Sequence, residues 1–455
     1  MYHTSSSELI QKYNVPGPRY TSYPTVPYWT KNQWEEHEWI QVIRSTQQAF
    51  QTTSISLYIH LPYCDSLCTF CGCHKHITTN HAVEAPYISA VLKEWSLLID
   101  QLDTKISIEE IHLGGGTPTF FSPSELERLI NGIISQVQLA DHVQFGFEAH
   151  PSSTTVEHLT VLHRLGFKRV SFGIQDYNPI VQQAIHRIQS FETVKTIHQL
   201  AREIGYSSIS HDLVFGLPKQ QLEGFEQTVN QTISLRPDRI SLYSYAHVPW
   251  IKGNGQRGYS DADLPSGEVK RQLYEHAKRL FLEAGYVEIG MDHFALATDE
   301  LAIAASNKTL HRNFMGYTTQ QSPVLIGLGM SAISDAWFGF AQNEKKVSDY
   351  IARIEKGELP LTKGHLLTAE DLEIRQHILN LMCQFETTIQ PNSFVDFDRI
   401  VTALQSMIED NLVVIDQTTI LLTPAGIPFV RNCCMAFDAH LTALKPTQPT
   451  FSLTV

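Results

Sequence analysis

From residue 54 onward the sequence alternates short β-rich runs with longer segments of helical spacing, and this alternation restricts the fold more than any other feature. The runs are Ser54–His60, Glu109–Gly114, His142–Ala149, Lys168–Ile174, Ile209–Gly216 and Arg239–Tyr245. Between them, Ala85–Leu102, Ser122–Gln136, Thr155–Leu165, Phe191–Ile204 and Leu222–Ser234 place apolar residues at helical intervals. Repeated strand-then-helix units predict a parallel sheet with right-handed crossovers. Six units are too few for the closed eight-unit barrel. The expectation is therefore an α/β fold, a partial (β/α)6 TIM-like barrel, with a doubly wound sheet as the alternative. Hydrophobic residues make up 42% and charged residues 18%, enough to bury such a core and to exclude wholesale disorder.

Residues 1–50 read differently. Pro16, Pro18, Pro24 and Pro27 argue against a long helix in PGPRYTSYPTVPYW, so residues 1–50 are expected to be an extended arm that lies against another part of the chain. Residues 51–345 would hold the barrel and an extension containing HRNFMGYTTQ and LIGLGMSAIS. Residues 346–455 would form a mostly helical C-terminal domain with helices at Leu372–Leu381 and Phe397–Asp410 and a strand pair at Leu412–Ile415 and Ile420–Leu422. With 34 Lys+Arg against 47 Asp+Glu, the net charge is −13, which argues against a nucleic-acid surface spread over the chain. An anionic substrate would need cations placed locally. No apolar run approaches the ~18–20 residues of a membrane span. The longest candidate, Pro323 to Phe340, is interrupted by Gly327, Gly329 and Asp335. The N-terminal residues lack a secretory pattern. A monomer of the cytoplasm, contacting neither nucleic acid nor membrane, is the expectation.

Seven cysteines, an odd number, make a disulfide framework improbable. Cys64, Cys68, Cys71 and Cys73 fall within ten residues, whereas Cys383, Cys433 and Cys434 read as buried apolar thiols. Polar residues gather at the C-terminal ends of the β-rich runs, the edge where parallel α/β barrels carry their sites. One mouth would thus collect the Cys loop, the GGGTPT turn, Glu148, Gln175 and Asp212. Helix N-caps account for some of these residues, but not readily for all. Cys64-x3-Cys68-x2-Cys71 offers three thiolates on one loop, whereas a 4Fe-4S cubane normally takes four. The remaining iron would be open to the amino and carboxylate groups of S-adenosylmethionine, and an electron passed to the sulfonium would release a 5′-deoxyadenosyl radical. Zinc is the competing ligand, but no second Cys/His pair stands at a matching distance. Cys73 as a fourth ligand is disfavoured, because one intervening residue after Cys71 suits a cubane corner poorly.

CDSLCTFC resembles the CxxxCxxC loop of the radical S-adenosylmethionine superfamily. PGPRYTSYPT, LYIHLPYC, CGC, GGGTPT, GIQDYN, GLPKQ, SYAHVP, DADLPS, GMDHFA, HRNF-GYTT, GLGMSAIS and RNCCMAFD are together similar to the oxygen-independent coproporphyrinogen III oxidases, from residue 16 to about 440. The resemblance implies the partial barrel, the arm and the helical C-terminal domain. It also implies oxidative decarboxylation of two propionates of coproporphyrinogen III to vinyl groups, giving protoporphyrinogen IX in haem biosynthesis. An unidentified electron donor and acceptor would serve the reaction. Cys64, Cys68 and Cys71 would ligate the cluster. Tyr58 would lie beside S-adenosylmethionine, with Gly115, Gly116 and Thr117 at its amino acid part. Phe70, Gly72 and Ala246 would edge the adenine. Glu148, Gln175, Arg187 and Asp212 would supply polar contacts. The family holds a second S-adenosylmethionine, and Ile333 matches a position near it, so one or two molecules are implied.

Two departures stand out. Met315 occupies the place where an amide-bearing Gln is expected, which bears on the second S-adenosylmethionine. EAHP replaces the familiar EVDP while keeping Glu148. Arg19 and Arg312 are the candidates for gripping substrate carboxylates, since Arg binds them bidentately. His311, Tyr20, Tyr23 and Tyr317 read more readily as packing residues. The rival readings are a haem-binding or haem-delivery protein, and a haem-modifying radical enzyme, on the same fold.

Overall fold

The computed structural model describes residues 7–30, 34–102, 105–250, 255–443 and 450–454. Parts of the expected arm (1–6, 31–33) and of the C-terminal domain (444–449, 455) lie outside the described residues. Each β-rich run is a strand: β1 (Ser54–Leu61), β2 (Ser107–Gly115), β3 (Gln138–Ala149), β4 (Phe167–Gln175), β5 (Ser208–Phe215) and β6 (Arg239–Ser244). They pair in sequence order, all parallel. Helices Glu84–Ile99, Pro123–Ile134, Val156–Arg164, Phe191–Ile204 and Leu222–Leu235 connect them. Local chemistry sets the ends of these helices. The side chains of Ser122, Thr155 and Ser190 accept bonds from backbone N–H groups of the first turn. Gly205 closes Phe191–Ile204 in the left-handed conformation at φ +110°. Ile55, Leu57, Ile59 and Leu61 of β1 are wholly buried, as expected for a strand beneath crossover helices.

The sheet continues beyond both edges of this unit. After β6 come β7 (Tyr286–Ile289) and β8 (His293–Leu296), an antiparallel pair in which β8 bonds to β6. Beside β1 lies β9 (Val324–Leu328), also parallel to it, followed by antiparallel β10 (Ile333–Ala336), β11 (Gly339–Asn343) and β12 (Leu361–Leu366). The order β12-β11-β10-β9-β1-β2-β3-β4-β5-β6-β8-β7 leaves the sheet open, so the barrel is partial, as the count of units predicts.

Three features differ from the sequence reading. The arm is not extended throughout, because Ser7–Tyr13 and Glu36–Phe50 are helices. The second starts after the last of the prolines in a reciprocal cap between Glu35 and Glu38, and Trp39, Ile40 and Ile43 pack into the barrel core. The sheet also runs past residue 345. Tyr350, Ile354 and Leu361 belong to the main core, and β12 extends the sheet to Leu366. Finally, the glycine-rich LIGLG is a central strand. A Cβ on Gly327 would lie 2.4 Å from the Ile333 carbonyl oxygen, so glycine lets β9 and β10 approach.

Helices Ala369–Gln384, Phe397–Glu409 and Val430–Phe437, with a three-stranded sheet, enclose a second core. Ile10, Tyr13, Tyr20 and Tyr23 of the arm are buried in that core. Among the described residues no helix is long and apolar enough to cross a membrane.

Candidate active site

The C-terminal ends of the parallel strands surround a cavity of about 390 Å³. Cys64, Cys68, Phe70, Cys71, Gly115, Gly116, Thr117, Glu148, Gln175, Arg187 and Asp212 all line it. The Cys loop leaves β1 and is fastened at several points. Tyr63–Cys64 pairs with His76–Ile77. The Thr69 backbone N–H donates to the Ile185 carbonyl at 2.9 Å, and its hydroxyl donates to the Ala184 carbonyl at 3.0 Å. Lys75 Nζ donates to the carbonyls of Cys71 and Cys73 at 3.2 and 3.3 Å. His60 Nε2 lies 2.8 Å from the His74 carbonyl oxygen.

Each of the three expected ligands has a donor at its sulfur. Thr117 Oγ1 donates to Cys64 Sγ at 3.3 Å, and Arg187 Nη1 to Cys68 Sγ at 3.6 Å. A hydrogen bond from Cys73 draws the Cys71 thiol below the ordinary thiol range, and Lys75 adds to the effect. Burial pushes Cys64 up to about 11 despite the Thr117 bond. Among the described residues, these thiols do not gather within 4.8 Å of one another. Ligands of a single tetrahedral zinc stand closer, roughly 3.8 Å apart for 2.3 Å Zn–S bonds. Three dispersed thiols at one cavity wall suit a multi-iron cluster better than one ion.

The glycines answer a steric demand within the protein. Gly115 takes φ +115°, and its N–H donates to Glu148 Oε2 at 3.3 Å. A Cβ on Gly116 would lie 2.5 Å from the Pro62 carbonyl oxygen, against the Cys loop itself. Gln175 ends β4 at φ +68°. Arg187 Nη2 donates to the Gly173 carbonyl at 2.6 Å, so one guanidinium joins the β4 end to Cys68. Ser171 Oγ donates to Asp212 Oδ2 at 2.8 Å, while burial raises the Asp212 pKa.

The remaining expected residues stand elsewhere. The Tyr58 hydroxyl lies 3.3 Å from His60 Nδ1, beneath Gly114. Gly72 is exposed, with no atom within 4 Å of where a Cβ would sit. Gln256 Nε2 donates to the carbonyls of Ala246 at 2.7 Å and Phe70 at 3.3 Å, tying the end of β6 to the Cys loop. Ile333 lies on β10, outside the walls of the cavity. A second cavity of about 130 Å³ shares Glu148, Ser171 and Asp212 with the first and leads inside the barrel to Tyr243, His293, Met315 and Tyr317. Arg312 is buried over the Tyr317 ring at 4.5 Å, with Nε and Nη1 lacking hydrogen-bond partners. Arg19 donates to the Ser244 carbonyl at 2.6 Å and lines a small cavity with Arg271, Asp292 and Arg431. Burial raises the Asp292 pKa, but His293, Arg312 and Arg19 outweigh it and bring the carboxyl down to about 2.

Sequence reasoning missed His150, Ser153 and Lys75 at the mouth, and Asp292, whose carboxyl feels the charge of both Arg19 and Arg312. His150 and Asp292 sit in the quoted EAHP and GMDHFA segments, where their polarity was the available signal.

Residues 58–232 match the family model described as the radical SAM superfamily. Over 448 residues the chain is 37% identical to the oxygen-independent coproporphyrinogen III oxidase of Pseudomonas aeruginosa, covering 96% of each. This chain belongs to the oxygen-independent coproporphyrinogen III oxidases. The Escherichia coli oxidase of the same description is 37% identical over 442 residues, 95% of each chain. The solved coproporphyrinogen III oxidase of E. coli, described as a radical SAM enzyme, superposes on 97% of this chain and 100% of its own. The TM-score is 0.89 at 34% identity. Membership of this oxidase family brings a 4Fe-4S cluster and S-adenosylmethionine as cofactors. The three thiols, each with a hydrogen-bond donor at its sulfur, fit that cluster.

Proposed function

We propose that this chain oxidatively decarboxylates two propionate side chains of coproporphyrinogen III to vinyl groups, giving protoporphyrinogen IX. The observation that carries this reading is a single mouth cavity edged by three dispersed thiols and continuous with a polar barrel interior. Cys64, Cys68 and Cys71 would hold the cluster, and Cys73 would stay outside its ligand set. Phe70, Gly115, Gly116, Thr117, Glu148, Gln175, Arg187 and Asp212, on the cavity wall, would cradle the nucleoside, with Tyr58, Gly72 and Ala246 supporting the site from outside that wall. Held there, the cluster and S-adenosylmethionine would supply radical chemistry able to remove a hydrogen atom from the propionate β-carbon. Each propionate then loses carbon dioxide and one electron as the vinyl double bond forms. The donor that feeds the cluster and the acceptor for that electron are outside this chain.

The protein's part is to bind, orient and exclude water. Arg187 and Thr117 direct N–H and O–H groups at sulfur, which stabilises thiolate charge. Arg19 and Arg312 would meet substrate carboxylates. The unpartnered nitrogens of buried Arg312 favour that role, because a desolvated guanidinium gains most from an anion. Met315 lines the interior cavity with a thioether where an amide was expected, so we assign one tightly held S-adenosylmethionine and no polar contact from this side chain to a second. The enzyme would act as a monomer.

Anaerobic incubation of cluster-loaded protein with S-adenosylmethionine, a reductant and coproporphyrinogen III should yield vinyl products. Stoichiometric haem binding without product, or opening of the haem ring, would replace this reading with one of its rivals. Equilibrium binding should give one S-adenosylmethionine per chain, rising toward two in Met315→Gln. Two in the unmodified chain would remove the role assigned to Met315.

A further inference from the structure

Outside the walls of the mouth cavity, β12, the helix Ala369–Gln384 and the helix Ala439–Ala443 bring together His365, Asp371 and His440. Among the described residues they form the group of metal-ligating side chains whose donor atoms all fall within 4.8 Å. His440 Nε2 stands 2.8 Å from Asp371 Oδ1, and His365 Nε2 stands 3.5 Å from Asp371 Oδ2. Nitrogen and oxygen ligands of a tetrahedral ion with 2.0–2.1 Å bonds stand roughly 3.3 Å apart, so the observed separations bracket that value.

Two further observations point to a cation. His365 is buried with a relative exposure of 5%, and its Nε2 has no hydrogen-bond partner. Its other ring nitrogen, Nδ1, lies 3.4 Å from the Thr30 hydroxyl. A hydroxyl serves either tautomer of the ring; in the one protonated at Nδ1, the Nε2 lone pair faces a carboxylate oxygen of Asp371. Such facing lone pairs repel unless a positive charge lies between them. The carboxylate is also fixed from behind, since Asp371 Oδ2 accepts from the Thr368 N–H at 2.9 Å and hydroxyl at 2.8 Å. Metal sites use this outer arrangement to orient their ligands. Glu370 and Asp438 add negative charge beside His440.

We propose that His365, Asp371 and His440 bind one divalent transition-metal ion, with Zn²⁺ the best match, as a structural clasp separate from the cluster. Two imidazoles and one carboxylate suit zinc over magnesium or calcium, and water would take the fourth position. Binding displaces the proton that His440 shares with Asp371. The clasp would lock three parts of the chain around one ion. The arm is drawn in through Thr30 and through Tyr23, whose hydroxyl accepts from the Ala439 N–H at 3.2 Å.

The test uses cluster-loaded protein dialysed anaerobically against Zn²⁺, with bound zinc and iron measured by mass spectrometry. One zinc per chain beyond the iron of the cluster is expected, with a melting temperature that rises with free zinc. The zinc-edge X-ray absorption spectrum should show nitrogen and oxygen neighbours only. His365→Gln and His440→Gln should each weaken binding by ~100-fold or more. No bound zinc would mean that a proton alone fills the gap and would overturn the proposal. Sulfur neighbours in the spectrum, or undiminished binding in both variants, would overturn it equally. The absorption spectrum of the unmodified protein decides the case even if a variant does not fold.

Discussion

Two groups of thiols in this chain share a residue type and little else. Cys64, Cys68 and Cys71 are partly exposed on a loop at the barrel mouth, with a hydroxyl, a guanidinium and a neighbouring thiol directed at their sulfurs. Cys383, Cys433 and Cys434 are buried among apolar side chains. Burial pushes Cys383 and Cys433 up to about 12, and Cys434 upward too. The surroundings suit the first group to the proposed role as ligands and the second to filling space as hydrocarbon does. The number of cysteines in a sequence thus says less than the donors that meet them.

That contrast can be broken most sharply at the proposed ligands. Alanine at Cys64, Cys68 or Cys71 should reduce iron content and S-adenosylmethionine cleavage to background, while alanine at Cys433 or Cys434 should leave both intact. A buried-thiol variant that loses the cluster, yet stays folded by circular dichroism, would merge the two groups. Next in size, Arg187→Met removes the donor at Cys68 and should lower activity or cluster retention by ~10–100-fold, read as iron per chain after gel filtration. Cys433→Ala should cost ~1–2 kcal/mol in denaturant unfolding at pH 7.

The same variant has a pH signature. The buried thiol keeps its proton to about 12, whereas the unfolded chain releases it near 8.5. Its contribution to stability is therefore fully present below pH ~8.5 and is lost as pH rises toward 12. Cys433→Ala should flatten that alkaline decline, and an unchanged slope would refute the burial argument. The smallest effect belongs to Thr117→Val, which removes one hydroxyl bond to Cys64, a loss of ~1 kcal/mol. It should shift the cluster's reduction potential while leaving its iron content alone.

Much of this was legible because strands and helices announce themselves by period. Phe191–Ile204 falls on its expected bounds, and all six expected runs are strands in the expected order. The strand-end rule gathered Cys64, Glu148, Gln175 and Asp212 at one mouth without reference to any relative. The strand Val324–Leu328 was hidden, because glycines that signal a turn locally serve here to admit Ile333. The helix Glu36–Phe50 was hidden by its neighbours, since the prolines preceding it set the tone for the whole segment. Arg19, Asp292 and Arg312 are brought close by tertiary packing alone. The same is true of His365, Asp371 and His440, whose spacing carries no signature.

The stitching of the arm to the far end of the chain has a consequence in time. Arg431 donates to the carbonyls of Gly17 and Pro18, residues made more than four hundred positions earlier, and Pro16 bridges to Leu453. During synthesis the six parallel strands can therefore be complete well before the arm has its C-terminal partner to fasten to. Fastening the two ends of the chain to each other is thus one of the last contacts that the order of synthesis allows.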